Sequence, residues 1–428
     1  MTSKHTKDAV LAALVLVCGF VLPCLMATRA DAIPAFSRKY KKECVTCHTI
    51  YPQRNEYGEA FEKNGYLLPD ADTAEKTAPK PEAPNSVIGI VDPLAEAGIP
   101  GQIPLSVIAS ADMTYNKRNP EINGKPQFNI DGGTEAELFA AGNFLNKVSY
   151  WVDYSFTENE VGELFAIFIK PFNLPVDVKV GKFKPKLSLW KANNSASISD
   201  FSYQSQVVDN LGEFSLGSEQ PAIELSSLVF SRLYVATGIT NGVNKKTNAK
   251  DWYGHVSTKI GGSDFRAKEP DMDLDNVSFL DFLSLTLGGY GYVGSSNDST
   301  NDFYRAGIEA GLNWKKATLK IGGVIGRDDA PVAIDPDTNV QTVLPRTMSR
   351  MAFVQGEYLF NQSVQATTRF EIDNIEHVGV FRRVIPSIAY TPVQNVKLVA
   401  EYVSEFEMKS DGTRPHNDQA TVRVAFAF

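Results

Sequence analysis

The last nine residues read Ala420-Thr421-Val422-Arg423-Val424-Ala425-Phe426-Ala427-Phe428. Val422, Val424, Phe426 and Phe428 stand at every second position, with Thr421, Arg423, Ala425 and Ala427 between them. In an extended chain that alternation sends the two sets to opposite faces. One face suits lipid and the other a polar lumen, which is the pattern of a transmembrane β-barrel strand. An edge strand of a soluble sandwich would explain one such stretch, but not its recurrence along the chain.

It recurs upstream. Val396, Leu398, Ala400, Tyr402 and Phe406 oppose Lys397, Glu401 and Glu405, and Tyr150, Val152, Tyr154 and Phe156 oppose Ser149, Trp151, Asp153 and Ser155. Short turns are expected at Asn146-Lys147, Lys315-Lys316, Asn361-Gln362 and Gln394-Asn395. Longer polar stretches lie at the opposite strand ends: Asn116 to Phe128, Asn241 to Lys250, Asp329 to Pro345 and Lys409 to Asp418. Short periplasmic turns and long outer loops are the usual asymmetry of outer-membrane barrels. The stretches from Ile103 to Phe428 make about sixteen strands, an even number that brings both barrel ends to the periplasmic side. Lys184 to Gly217 reads as a long outer loop folding into the pore. Asp271, Asp273 and Asp275 alternate as in a calcium loop, but the glycine and terminal glutamate are missing, so they read as solvated acids.

Upstream stands Cys44-Val45-Thr46-Cys47-His48, the C-x-x-C-H attachment signal for c-type haem. On a helical turn, residues three apart share a face, so both sulfurs can reach one porphyrin. His48 would then be an axial ligand of the haem iron. There is no second cysteine pair for zinc, and no βαβ pattern for a thioredoxin-like site. The segment 33–68 therefore reads as a monohaem cytochrome c unit. One short helix is expected to lead into His48, and a second to run from about Asn55 to Lys63, with Gly65 as its C-terminal cap. Phe36, Tyr40, Tyr51, Phe61 and Tyr66 are candidates to cover the porphyrin or to form the core of this small unit. No sixth ligand is nearby: the next histidine is His255 and the next methionine Met113. Period two turns His255 into the lumen and Met113 toward lipid. His255 is thus the candidate sixth ligand, with His377, an unusual donor or water as alternatives, and His416 reads as a solvated loop residue.

The remaining features bound the class. The chain has 428 residues, four cysteines and a formal net charge of −8, which argues against a nucleic-acid partner. Lys4 and Lys7, an apolar run from Ala9 to Met26 and Ala30-Asp31-Ala32 read as a secretory signal over 1–32. Residues 69–102, with Ala-Pro-Lys-Pro-Glu-Ala-Pro, read as a partly extended linker. The expected fold is mainly β: an outer-membrane antiparallel barrel over 103–428 with a small α-helical cytochrome segment before it.

This combination resembles the fused outer-membrane monohaem cytochrome–porin family. Around the motif the resemblance rests on Pro34-Ala35-Phe36 and Arg38, then Cys44, Cys47 and His48, then Pro52, Asn55, Gly58, Phe61, Gly65 and Tyr66. In the barrel it rests on phrases such as Glu137 to Asn143, which is similar to phosphate-selective-type porins. The resemblance implies one covalent haem c, oxidation of extracellular Fe(II), and location in the outer membrane of a Gram-negative-type bacterium. The apolar band of such a barrel is about 25 Å tall, and electron tunnelling decays exponentially with distance. A haem within the lumen shortens both steps. The expected function is electron transfer between an extracellular iron or other redox donor or acceptor and a periplasmic c-type cytochrome or other carrier. The alternatives are a diffusion porin or transporter with a haem-bearing plug, and outward electron export.

Overall fold

The computed structural model describes residues 35–40, 42–69, 105–119, 125–191, 195–243, 249–269, 278–296, 300–334, 339–409 and 416–427. The expected signal, nearly all of the linker, the triple aspartate stretch and Phe428 lie outside them.

Sixteen strands close into one antiparallel barrel. The last strand, His416–Ala427, pairs with both Val396–Lys409 and the first barrel strand, Leu105–Asn119. No edge is left open, so every wall strand satisfies its backbone on both sides. Alternation holds around the wall. In Asp251–Gly261, for example, Asp251, Tyr253, His255, Ser257 and Lys259 are buried, while Trp252, Val256 and Ile260 are exposed on the outer face. All four short turns expected from the sequence fall between paired strands at one end of the barrel. The polar stretch Asn116 to Phe128, expected as a loop, is mostly strand: Asn116 pairs with Gln127 and Asn119 with Lys125. Its hairpin extends beyond the apolar alternation, where both faces are polar and period two carries no signal. For the same reason His416 opens the final strand rather than lying in a loop, paired with Phe406.

The lumen is packed. Between the strands Asp177–Phe183 and Gln220–Val229 the chain leaves the wall and folds inward, as expected for this stretch. Inside, Phe201, Tyr203, Phe214, Tyr290, Tyr292, Phe303 and Phe353 form one buried cluster. Carboxylates on the wall hold this inner loop through its own donors. Glu309 accepts from the Leu189 N–H at 2.5 Å, the Ser188 hydroxyl at 2.7 Å and the Tyr203 hydroxyl at 2.5 Å. Glu401 accepts from the Ile198 and Ser199 N–H groups at 2.8 and 2.9 Å, and Glu371 from the Ser202 N–H at 2.9 Å. An inward-facing acid is therefore a docking point for loop backbone that would otherwise be buried without partners.

Hydrogen bonds to a charged acceptor are the stronger kind, so Glu309→Ala should loosen the inner loop by roughly 3 kcal/mol. The expected outcome is higher ionic conductance in planar bilayers and a lower temperature of heat-modified gel migration. Wild-type values for both would show that the loop is held by other contacts.

Candidate functional site: the Cys-x-x-Cys-His segment in the barrel mouth

The segment carrying Cys44, Cys47 and His48 sits inside the short-turn end of the barrel. Its first helix, α1 (Ala35–Tyr40), leads toward a 3₁₀ turn over Cys44–Thr46, closed by the Cys47 N–H on the Cys44 carbonyl at 3.1 Å. Side chains three apart eclipse in a 3₁₀ turn, so the two cysteines share a side. This differs from the helix expected to run into His48. His48 instead begins a two-strand ribbon, His48–Ile50 with Gln53–Arg54. The second helix, α2 (Glu56–Lys63), has Asn55 as its N-cap and ends in a Schellman motif. Tyr66 N–H reaches Phe61 O at 2.9 Å and Gly65 N–H reaches Glu62 O at 3.0 Å, with Gly65 at φ 67°.

His48 is oriented by the backbone. Its Nδ1 lies 3.1 Å from the Pro52 carbonyl, which can only accept, so Nδ1 carries the proton. Nε2 is left with its lone pair, the arrangement of an imidazole ligand. Burial, with Arg54 adding to it, brings the His48 pKa down to about 4, so the ring is neutral at neutral pH. Burial likewise pushes the Cys47 thiol up to about 11 and raises Cys44. At Cys47 burial outweighs the nearby Arg54 and Lys42 charges, so the thiol is not activated as in a redox-active cysteine. Both cysteines are free of disulfides. The donor set, with one oriented imidazole and two thiols on one side of a tight turn, fits a covalently attached haem c.

Asn55 joins motif to helix. Its amide donates to the Val45 and Thr46 carbonyls, both at 3.1 Å, while its side-chain oxygen caps Gly58 N–H at 2.9 Å. Its own N–H meets the Cys47 carbonyl at 3.0 Å. Gly58 faces the same carbonyl so closely that a Cβ would stand 2.1 Å from it. In sequence Asn55 marks a helix start and belongs to the residues that carry the family resemblance. Its clamp on the motif had no local signal beyond the N-cap residue type.

Barrel and segment are tied by charge. Arg54 pairs with Glu62 at 2.9 Å and Glu59 at 3.4 Å. Inner-loop residues Lys191 and Lys186 approach Glu62 at 3.8 and 4.0 Å, and Lys191 continues to the wall at Glu163, 3.3 Å away. Glu56 pairs with Lys259 at 3.2 Å. Gln53 donates to Glu357 at 2.5 Å, and the Cys44 N–H faces the Gln394 side chain at 3.4 Å. A cavity of about 550 Å³, lined by Thr49, Arg54, Lys259, Lys320, Trp190 and Phe265 among others, separates the segment from the wall.

The aromatic candidates divide. Phe36, Tyr40, Phe61 and Tyr66 pack together against Trp151 and Phe165 and anchor the segment to the wall. Tyr51 instead sets its ring edge-on to His48, with centroids 5.2 Å apart.

Nor are the candidate ligands gathered. His255 faces inward, but its Nδ1 contacts the Leu187 carbonyl of the inner loop. Its strand lies seven places around the wall from Val396–Lys409, which the Gln394 turn adjoins. Cys44 and His255 thus lie against different sectors of the wall. His377 stands exposed in the turn between Val364–Ile375 and Gly379–Val393, at the far end from the segment.

No protein-family model matches the chain, and no curated protein matches it in sequence. Solved structures do match its fold. An anion-selective porin from Comamonas acidovorans superposes with a TM-score of 0.54 at 9% identity, covering 76% of this chain and 99% of that one. OmpF of Salmonella typhi, in complex with daunomycin, gives 0.52 at 9% identity, covering 76% and 97%. The outer-membrane channel DcaP of Acinetobacter baumannii gives 0.50 at 12%, with the same shares. The fold is that of a porin-type barrel.

Gly58→Ala should push α2 off the Cys47 carbonyl. We expect faster limited proteolysis between Cys44 and Lys63, with the barrel still heat-modifiable. Wild-type cleavage would show that the contact is not required.

Proposed function

We propose that this chain is an outer-membrane barrel bearing one haem c, attached through Cys44 and Cys47 with His48 as axial ligand, that passes electrons across the membrane. The observation that carries this reading is the placement of the motif inside the barrel mouth, with the His48 Nδ1 proton committed to Pro52. Bound there, haem supplies a one-electron iron couple. The residues of the chain do the rest. Pro52 fixes the imidazole, Asn55 and Gly58 hold the turn against α2, and the Arg54, Glu62 and Lys191 network holds the segment to inner loop and wall. Extracellular Fe(II) or another redox partner would exchange electrons at the long-loop end, and a periplasmic carrier at the short-turn end.

A diffusion porin with a haem-bearing plug is the second reading, favoured by the porin-type fold. The packed lumen supports the conduit: an inner loop with its aromatic cluster and the docked segment occupy the space a solute would need.

The Cys44→Ala/Cys47→Ala variant should lose covalent haem staining and stopped-flow reduction by Fe(II), while still inserting in the membrane. Haem staining that survives the double substitution would overturn the attachment. Wild-type protein should also show little ion current in planar bilayers. Porin-scale conductance in haem-loaded protein, without reduction by Fe(II), would establish the second reading instead.

A further inference from the structure

On the outer face, the strands Asn301–Trp314, Ala317–Asp328, Thr347–Asn361 and Val364–Ile375 enclose a shallow groove of about 740 Å³. Its floor is small because Ala306, Gly323 and Ala352 turn outward there, and Ile308, Ile325 and Ile372 stand around them. Gly323 pairs with Ala352, and Ala352 with Ile372, so the low floor runs across neighbouring strands. Apolar branches beside a strip of alanine and glycine leave a slot of acyl-chain character.

The groove is basic toward the long-loop end. Arg350 lies on its rim, exposed and paired in register with Asn374. Arg382, also exposed and outward, is in register with Ile372 on the neighbouring strand. Each stands three residues from its strand end, Thr347 or Gly379, or ~10 Å along a strand at about 3.4 Å per residue. A lipid-facing arginine is most costly at the bilayer midplane and least at the interface, so a position toward the long-loop end is the one that tolerates this pair. Two other outward cations near that end carry their own carboxylates: Lys117 meets Asp418 at 2.9 Å and Arg327 meets Asp329 at 3.2 Å. Among the described residues Arg350 and Arg382 have no ion pair.

We infer that this groove binds a phosphorylated, acylated glycolipid of the outer leaflet. An acyl chain lies over Ala306, Gly323 and Ala352, and a phosphate is held between Arg350 and Arg382. Guanidinium favours phosphate because its planar fork can donate two hydrogen bonds at once. Asn374, exposed between the two arginines, adds a neutral donor. The inference rests on the barrel spanning a membrane and is independent of the haem.

Native mass spectrometry of the delipidated full-length protein with added lipopolysaccharide, intact or enzymatically dephosphorylated, tests it. Wild-type protein should retain the intact glycolipid at least tenfold more than the dephosphorylated form. Arg350→Gln/Arg382→Gln should lose that preference, and Ala352→Trp, which fills the floor, should lose retention of both. Heat-modified gel migration checks separately that each variant is a folded barrel, so failure of the site is distinguishable from failure of the membrane reading. Equal retention by wild type and the arginine variant would overturn the proposal. So would indifference to phosphate, or a lipid-free oligomer whose contacts cover the groove.

Discussion

Glu62 is where three layers of this molecule meet. It lies on the short helix inside the barrel, takes Arg54 of the same segment at 2.9 Å, and has Lys186 and Lys191 of the inner loop within 4.0 Å. Lys191 then reaches Glu163 on the wall. Removing Glu62 would take a carboxylate from among three cations in a water-poor setting, which costs far more than losing an exposed pair. The Arg54 and lysine charges hold Glu62 well below the usual carboxylate range despite its burial. The position of the Cys-x-x-Cys-His turn therefore follows from a carboxylate fourteen residues later and from lysines of a different part of the fold.

The wall was legible because period two is a local signal. The parity of Tyr150 to Phe156 and Val396 to Phe406 is the parity found, and the turn pairs at Asn146, Lys315, Asn361 and Gln394 close the hairpins. Where both faces turn polar, the signal stops, and the strand at Asn116 to Asn119 reads as loop. The motif was legible by its residue types alone, and the inward face of His255 by parity. Parity gives a face but no partner. It could not tell that His255 meets the Leu187 carbonyl of the inner loop, or that Phe36 and Tyr66 serve the wall. Those outcomes depend on how the segment docks, which rests on contacts such as Lys39 with Asn143, 104 positions apart.

Inward-facing acids have the same dual character. By parity Glu401 reads in sequence as a lumen residue, and Glu309 and Glu371 are buried on the same inner face. In the fold they accept backbone N–H groups of the inner loop, so they act as structural acceptors before they act as a field for ions. A lumen rich in carboxylates is here a filled lumen.

The barrel's seam lies between its first and last strands, where Ile108 meets Ala427. The segment it encloses comes earlier in the chain than either, yet contacts the wall from Asn143 round to Gln394. Cargo is therefore made before its container. With the segment docked, Cys44 and Cys47 are half-buried in the mouth, so a catalyst acting on them from outside finds them most open before docking.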